Sequence, residues 1–280
     1  MEQEQSGTPR LPVRQNPALL YALSWLVALL MAASSVAGLL YPTALYPAEE
    51  LFEAFVPSDL VNLLIGLPVL LGSLGLARRG RLIGLLLWPG ALLFVLYNEV
   101  VYVFALPFSL GFLLHLSQLT LSVYMLIGLI ASIDGTAVQR RLTRAVPERV
   151  AGGVLAVLGV LFFLRVIVVM AGAIASQTPV LAPELALHLA DFVIAPGMVT
   201  GGLLLWRRQR LGYVTGLGLL FQASMLFVGL IVVLLLQPFL LDAPFAPLDV
   251  VVVFVLGLIC FVPFVLFARG VLLSHPSLPG

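Results

Sequence analysis

The sequence predicts an all-α fold, a polytopic membrane helix bundle of eight transmembrane helices arranged as two parallel halves of four. Three observations predict it. Of 280 residues, 61% are hydrophobic and only 10% are charged, whereas soluble domains carry about 25% charged residues. Eight apolar runs are long enough to cross roughly 30 Å of hydrocarbon. The arginines fall in alternate loops. Because unpaired strand edges are not tolerated in lipid, each run must be a helix.

The apolar runs divide the chain into regions. We predict the spans at residues 17–40, 59–77, 82–105, 111–133, 150–176, 187–206, 211–236 and 249–268. Residues 1–16 are predicted to be a disordered cytoplasmic segment, 17–133 the first half, 134–149 a basic cytoplasmic loop, 150–269 the second half and 270–280 a cytoplasmic tail.

Charge alternates between successive loops. Thirteen of the 14 basic residues, all of them arginine, lie before the first span, in every second loop and at the end of the last span. The intervening loops instead contain the acidic residues Glu49, Glu50, Glu53, Glu184 and Asp242. The positive-inside rule then places both termini in the cytoplasm.

The predicted location is the plasma membrane of a prokaryote, since an arginine-only set of basic residues is typical of GC-rich genomes. One alternative concerns the first span. Arg10 and Arg14 before an apolar stretch that ends at Ser35–Val36–Ala37 also fit a signal peptide, whose cleavage would leave seven spans.

Four features recur at a nearly constant offset. Asp59, Pro68, the arginine run that begins at Arg78, and Pro107–Phe108 have counterparts 132, 128, 129 and 131 residues later. An even number of spans in each half makes the repeat parallel, and sites often lie where such repeats meet. Asp59 and Asp249 each begin a predicted span and are interpreted as helix caps.

Two ionisable residues lie deep in predicted spans, where they are energetically expensive. Glu99 and Arg165 lie about 25 and 22 Å from the arginine-rich ends of the third and fifth spans. We expect them to pair across the two halves. Prolines such as Pro89 and Pro196 are expected to interrupt spans and expose backbone groups.

Other polar residues share this depth and complete the candidate site. His115 and Gln118 lie on one stripe of the fourth span, and His115 is a candidate proton relay. The remaining candidates are Asn62, Asn98, Tyr102, His188 and Asp191.

Several kinds of chemistry are disfavoured. The chain has no HExxH, P-loop or GxSxG motif and one cysteine, Cys260. With three histidines and no Cys/His cluster, we predict neither a metal nor a cofactor. A net charge of +1 argues against nucleic acid. The sequence favours a protein that is not an enzyme.

Two stretches carry a resemblance. The motif Leu85-Leu86-Leu87-Trp88-Pro89-Gly90 with the preceding Arg78-Arg79-Gly80, and the later Asp191…Pro196…Arg207-Arg208, resemble a family of uncharacterised prokaryotic multi-span membrane proteins. The resemblance implies a multi-span topology and no activity, because none is established for that family.

Three functions remain open at this stage. The leading hypothesis is an outer-facing polar pocket within the membrane that binds or transports a small molecule, a lipid or a proton. The second is an intramembrane enzyme acting on a lipid-linked substrate, with His115 or His188 as base. The third is a structural or assembly subunit of a membrane complex. The lipid bilayer is the one partner that composition implies; protein partners and oligomeric state are not predicted.

Overall fold

The computed structural model describes residues 11–13, 18–241 and 244–274, in which every long element is a helix. The elements are α1 (Ala18–Leu40), α2 (Pro42–Leu45), α3 (Glu49–Val61), a π segment (Asn62–Gly66), α4 (Leu67–Arg78), α5 (Leu82–Ala105), α6 (Leu110–Ser132), α7 (Gly135–Leu142), α8 (Glu148–Ser176), α9 (Ala182–Trp206), α10 (Arg210–Leu240) and α11 (Pro247–Leu273). Eight helical stretches are long and apolar enough to span a membrane, with α3, the π segment and α4 forming one of them. The all-α bundle of eight spans is confirmed.

The second span begins ten residues earlier than predicted. Helix α3 starts at Glu49, so Asp59 lies within the helix and is not its cap. The acidic residues that suggested a loop lie on the more exposed side of an amphipathic helix, whose other side buries Leu51 and Phe55. Glu49 and Glu50 in the first turn also favour helix initiation through the helix dipole.

Further differences concern the ends and the prolines. Helix α11 continues to Leu273, so the predicted tail begins inside a helix. Helices α5 and α9 run through Pro89 and Pro196 without a break, because neighbouring helices enclose these turns. The backbone irregularity is instead the π segment before Pro68.

The predicted basic loop contains α7, an amphipathic helix. The Asp134 carboxylate accepts hydrogen bonds from the Thr136 and Ala137 N–H groups and caps it. Of the predicted N-terminal and C-terminal segments, residues 1–10, 14–17 and 275–280 lie outside the described residues. Residues 11–13 are described, and the Asp134 N–H donates to the Pro12 carbonyl.

Helix α5 lies at the centre of the bundle, between α4, α6, α9 and α10. Its side chains are mostly buried, whereas α8 and α11 expose long apolar faces suited to lipid. Helix α1 is attached to α5 through Trp88, whose indole N–H donates to Ser24 Oγ at 2.9 Å and whose ring stacks on Tyr21.

The turns after α4 and α9 have the same backbone geometry. In the first, the Gly80 N–H donates to the Ala77 carbonyl at 2.9 Å, and 128 residues later the Arg208 N–H donates to the Leu205 carbonyl at 2.9 Å. Gly80 and Arg208 both have positive φ, 74° and 56°. The backbone offset is 128, so the arginine run is displaced by one residue relative to the matching turn.

Two glycines related by the same offset contact each other. A Cβ on Gly90 of α5 would collide with the Gly218 carbonyl of α10, and a Cβ on Gly218 would lie 2.9 Å from the Gly90 nitrogen. The two helices therefore touch backbone to backbone at equivalent positions. Such a contact is expected where a two-fold axis relates two halves, and it supports the predicted repeat.

Candidate functional site

Helix α5 presents polar side chains on two sides. Glu99 and Tyr102 are three residues apart and share one face, whereas Tyr97 points away from them. These residues lie near the end of α5 at Ala105, which we call the acidic end of the bundle because the adjacent loops lack arginine. Glu99 lies about 9 Å from that end, at 1.5 Å per residue.

The first group of side chains is enclosed and is termed the enclosed cluster. It consists of Tyr46, Asp59, Glu99, Tyr102, His115 and Gln118.

Glu99 receives two hydrogen bonds from α6. Its Oε2 lies 2.8 Å from His115 Nδ1, and its Oε1 accepts from Gln118 Nε2 at 2.6 Å. All three side chains are buried. His115 and Gln118 are three residues apart on α6, so the predicted polar stripe on this helix does converge on one carboxyl group.

Asp59 receives two hydrogen bonds from tyrosines. Its Oδ2 accepts from the Tyr46 hydroxyl at 2.7 Å and its Oδ1 from the Tyr102 hydroxyl at 2.8 Å. The carboxyl group lies directly against Gly38 of α1, where any Cβ would collide with Asp59 Oδ2. The site therefore requires glycine at position 38 because no side chain fits there.

An aromatic stack joins the two carboxyl groups. The rings of Tyr102 and His115 are nearly parallel, with centroids 4.3 Å apart and an interplanar angle of 4°. Tyr102 thus contacts Asp59 through its hydroxyl and His115 through its ring. The cluster is one continuous network that runs from Asp59 to Glu99.

Tyr46 connects this network to the loop between the first two spans. Burial raises the pKa of Tyr46 well above its ordinary value, and the adjacent Asp59 raises that pKa further. The Tyr46 phenol therefore stays protonated and acts as a hydrogen-bond donor to Asp59.

A second group, the Arg165 cluster, lies on the other side of α5 and joins the two halves. Asp191 Oδ1 on α9 accepts from the Tyr97 hydroxyl at 2.9 Å, and Asp191 Oδ2 lies 3.6 Å from Arg165 Nη1 on α8. The Arg165 side chain is 53% exposed, while Asp191 is buried.

The expected Glu99–Arg165 pair is wrong. Glu99 pairs with His115, and Arg165 pairs with Asp191. The depth of the two residues suggested the pair, but depth leaves their orientation open, and Arg165 and Glu99 project toward different helices.

The remaining predicted residues lie outside both clusters. The Asn98 side-chain amide donates to the Phe94 carbonyl of its own helix. Asn62 is buried at the start of the π segment. His188 is buried, with Nε2 3.8 Å from Glu184 and with Nδ1 unpartnered among the described residues.

Sequence reasoning missed three residues of these clusters as site candidates. Asp59 was assigned to a helix cap, and Tyr46 and Tyr97 were not singled out for the site. The signal for Asp59 lies in the buried positions around it, since Phe55 and Asn62 recur at helical spacing on its face. The two tyrosines carry no comparable signal, because tyrosine is common near membrane interfaces.

Among the described residues, no three His, Cys, Asp or Glu side chains form a group that could hold a metal ion. Comparison of the chain with protein-family models, with curated proteins and with solved structures finds no match. The functional argument therefore depends on the geometry of the two clusters.

Proposed function

We propose that this protein is a proton-linked membrane transporter whose enclosed cluster takes up and releases protons. One observation carries the proposal. The cluster buries two carboxyl groups and one imidazole, and no arginine side chain of the described part joins it.

The charge of the cluster favours proton binding. With Asp59 and Glu99 ionised and His115 protonated, one net negative charge remains. An uncompensated charge in a water-poor interior costs several kcal/mol, and an ionisable group there takes up or releases a proton instead. The cluster therefore gains stability by binding one further proton, and it returns to the charged state when that proton leaves.

The hydrogen-bond pattern supplies a way for protons to move. The His115–Glu99 bond of 2.8 Å can hold its proton on either partner, because imidazole and carboxylate both donate or accept. Tyr46 links Asp59 to the loop at the acidic end. Toward the middle of the bundle, the buried Gln118 Oε1 and Ser122 Oγ have no partner among the described residues, so polar atoms continue along α6 beyond Glu99.

The wider setting belongs to the same proposal. The arginine distribution supports placing the acidic end outside and both termini inside the plasma membrane of a prokaryote. The matched turns and the Gly90–Gly218 contact support a four-plus-four parallel repeat. Membership of the uncharacterised multi-span family that the sequence resembles is part of the proposal as well.

Infrared difference spectroscopy on the reconstituted full-length protein tests proton binding directly. We expect a pH-dependent C=O stretch of a protonated carboxylic acid that shifts in D₂O. Asp59→Asn or Glu99→Gln should change or abolish this band. Asp249→Asn, at an exposed carboxyl group in the first turn of α11, is the matched control and should leave it intact.

Proton flux into vesicles tests transport. With a pH-sensitive dye inside and an imposed pH gradient, the wild-type protein should acidify the lumen faster than empty vesicles, and Glu99→Gln should reduce the rate at least tenfold. A wild-type rate equal to that of empty vesicles, together with no protonated-carboxyl band, would show that the cluster is a structural contact.

A further inference from the structure

A cavity of roughly 230 Å³ lies between α5, α6, α9 and α10 and is separate from both polar clusters. It is lined by Pro89, Gly90 and Leu93 of α5, Leu126 and Ile130 of α6, Gly197, Thr200, Gly201 and Leu204 of α9, and Leu211, Thr215, Gly218 and Leu219 of α10. Gly90 and Gly218 form its back wall where the halves touch. Gly197, Thr200 and Leu211 are exposed, so the cavity is open at the surface of the bundle.

The cavity lining offers no free polar group. The two threonines on the wall donate their hydroxyls within their own helices, Thr200 to the Pro196 carbonyl at 2.8 Å and Thr215 to the Leu211 carbonyl at 2.9 Å. Their methyl groups remain for contact with a ligand. The cavity therefore suits hydrocarbon, and it is smaller than the roughly 300–1,000 Å³ of pockets that enclose drug-sized molecules.

The position of the cavity points to a specific source of hydrocarbon. Leu204 and Leu211 lie on either side of the turn that carries Arg207 and Arg210, both exposed. Within the described part of the chain, no ion pair joins either arginine to a carboxylate. The Arg210 side chain lies beside Gly135 at the start of α7, next to the end of α6 that lines the cavity. Positive charge beside an apolar slot complements a phosphate attached to an acyl chain.

We propose that this cavity binds one acyl chain of an anionic phospholipid, with the phosphate held by Arg207 and Arg210. The lipid comes from the leaflet at the arginine-rich end. The acyl chain lies against the Gly90–Gly218 contact and fills the space between α6 and α9. This lipid site is independent of the proton chemistry proposed above.

Gly197 provides a test with a matched control. A Cβ on Gly197 meets nothing within 4 Å, so a larger side chain there enters the cavity without displacing the backbone. The same holds for Gly172 on the exposed face of α8, which lies outside the cavity. Gly197→Leu fills the cavity, whereas Gly172→Leu makes the same chemical change elsewhere. Thr200→Phe at the exposed rim is a second filling variant.

The experiment is native mass spectrometry of the full-length protein in detergent with phosphatidylglycerol or phosphatidylcholine of identical acyl chains. The wild type should retain phosphatidylglycerol in preference to phosphatidylcholine, and Gly197→Leu and Thr200→Phe should lower that occupancy about tenfold. Gly172→Leu should match the wild type. Arg207→Gln with Arg210→Gln should remove the preference for phosphatidylglycerol while the neutral lipid still binds.

Two results would overturn the proposal. One is equal lipid retention by the wild type and by whichever filling variant keeps the wild-type melting temperature. The other is a wild type that retains the two lipids equally, which would leave the arginines without the assigned role.

Discussion

The enclosed cluster and the Arg165 cluster lie on opposite sides of α5, and they neutralise buried carboxylates in different ways. In the Arg165 cluster a permanent cation faces Asp191, and the half-exposed guanidinium can reach polar surroundings. In the enclosed cluster tyrosines, a glutamine and a histidine surround Asp59 and Glu99, and no permanent cation joins them. A fixed cation makes the charge of a site independent of protons, and its absence makes the charge adjustable. This difference separates a site suited to hold two halves together from one suited to exchange protons.

Removing the acceptor of the enclosed cluster should have the largest effect. Glu99→Leu leaves His115 Nδ1 and the Gln118 amide buried without an acceptor, which should lower the free energy of unfolding by about 2–5 kcal/mol. Denaturant unfolding in detergent measures this loss. Glu99→Gln keeps an acceptor and should cost about 1 kcal/mol; equal losses for both variants would show that Glu99 acts only by filling space.

Two tyrosine variants compare the clusters directly. Tyr102→Phe and Tyr97→Phe each delete one hydroxyl donor to an aspartate and should cost about 0.5–1.5 kcal/mol. We expect the loss at Tyr102 to be the greater because Asp59 keeps only Tyr46 as a donor, whereas Asp191 keeps Arg165. The same unfolding assay decides, and a larger loss at Tyr97 would contradict the distinction between the clusters.

A double-mutant cycle measures the bond between the halves. Arg165→Met should cost about 1 kcal/mol, a modest value because the pair is 3.6 Å long and its guanidinium is half exposed. Combined with Asp191→Asn, the loss should be smaller than the sum of the single losses, with a coupling of about 0.5 kcal/mol. Strict additivity would mean that the pair does not contribute to joining the halves.

The smallest effect is expected at the turn where the halves differ in sequence but share backbone geometry. Arg208 has a φ of 56°, which glycine adopts more readily, and its counterpart is Gly80. Arg208→Gly should raise the melting temperature slightly, for a gain of about 0.5 kcal/mol, and Gly80→Ala should lower it by a larger amount. A loss of stability in Arg208→Gly would show that the side chain has a stabilising contact.

The sequence predicts the fold better than it predicts the site. Hydropathy determines which stretches lie in lipid, so α5 is predicted at both of its ends, and α1 and α6 within one residue. Span ends rich in acidic residues were placed too late, as at Glu49, because an amphipathic end resembles a loop.

Within the site, helical spacing grouped His115 with Gln118, since both lie on one face of one helix. The partners of Glu99, Asp59 and Arg165 depend on how different helices rotate toward each other. Side-chain packing sets that rotation, and periodicity along one helix does not record it. The correct residues were therefore largely identified, but two of the contacts between helices were not.

The contact between Gly90 and Gly218 has a consequence for how such a chain can change over time. If the halves descend from one duplicated four-span unit, the ancestral dimer had this glycine facing its own copy. Any larger residue would then have entered the interface twice, so one mutation carried a double penalty. Fusion into a single chain removes that doubling, because each position can now be substituted separately. The two halves were thereby free to diverge, and the enclosed cluster could develop on one side of the molecule alone.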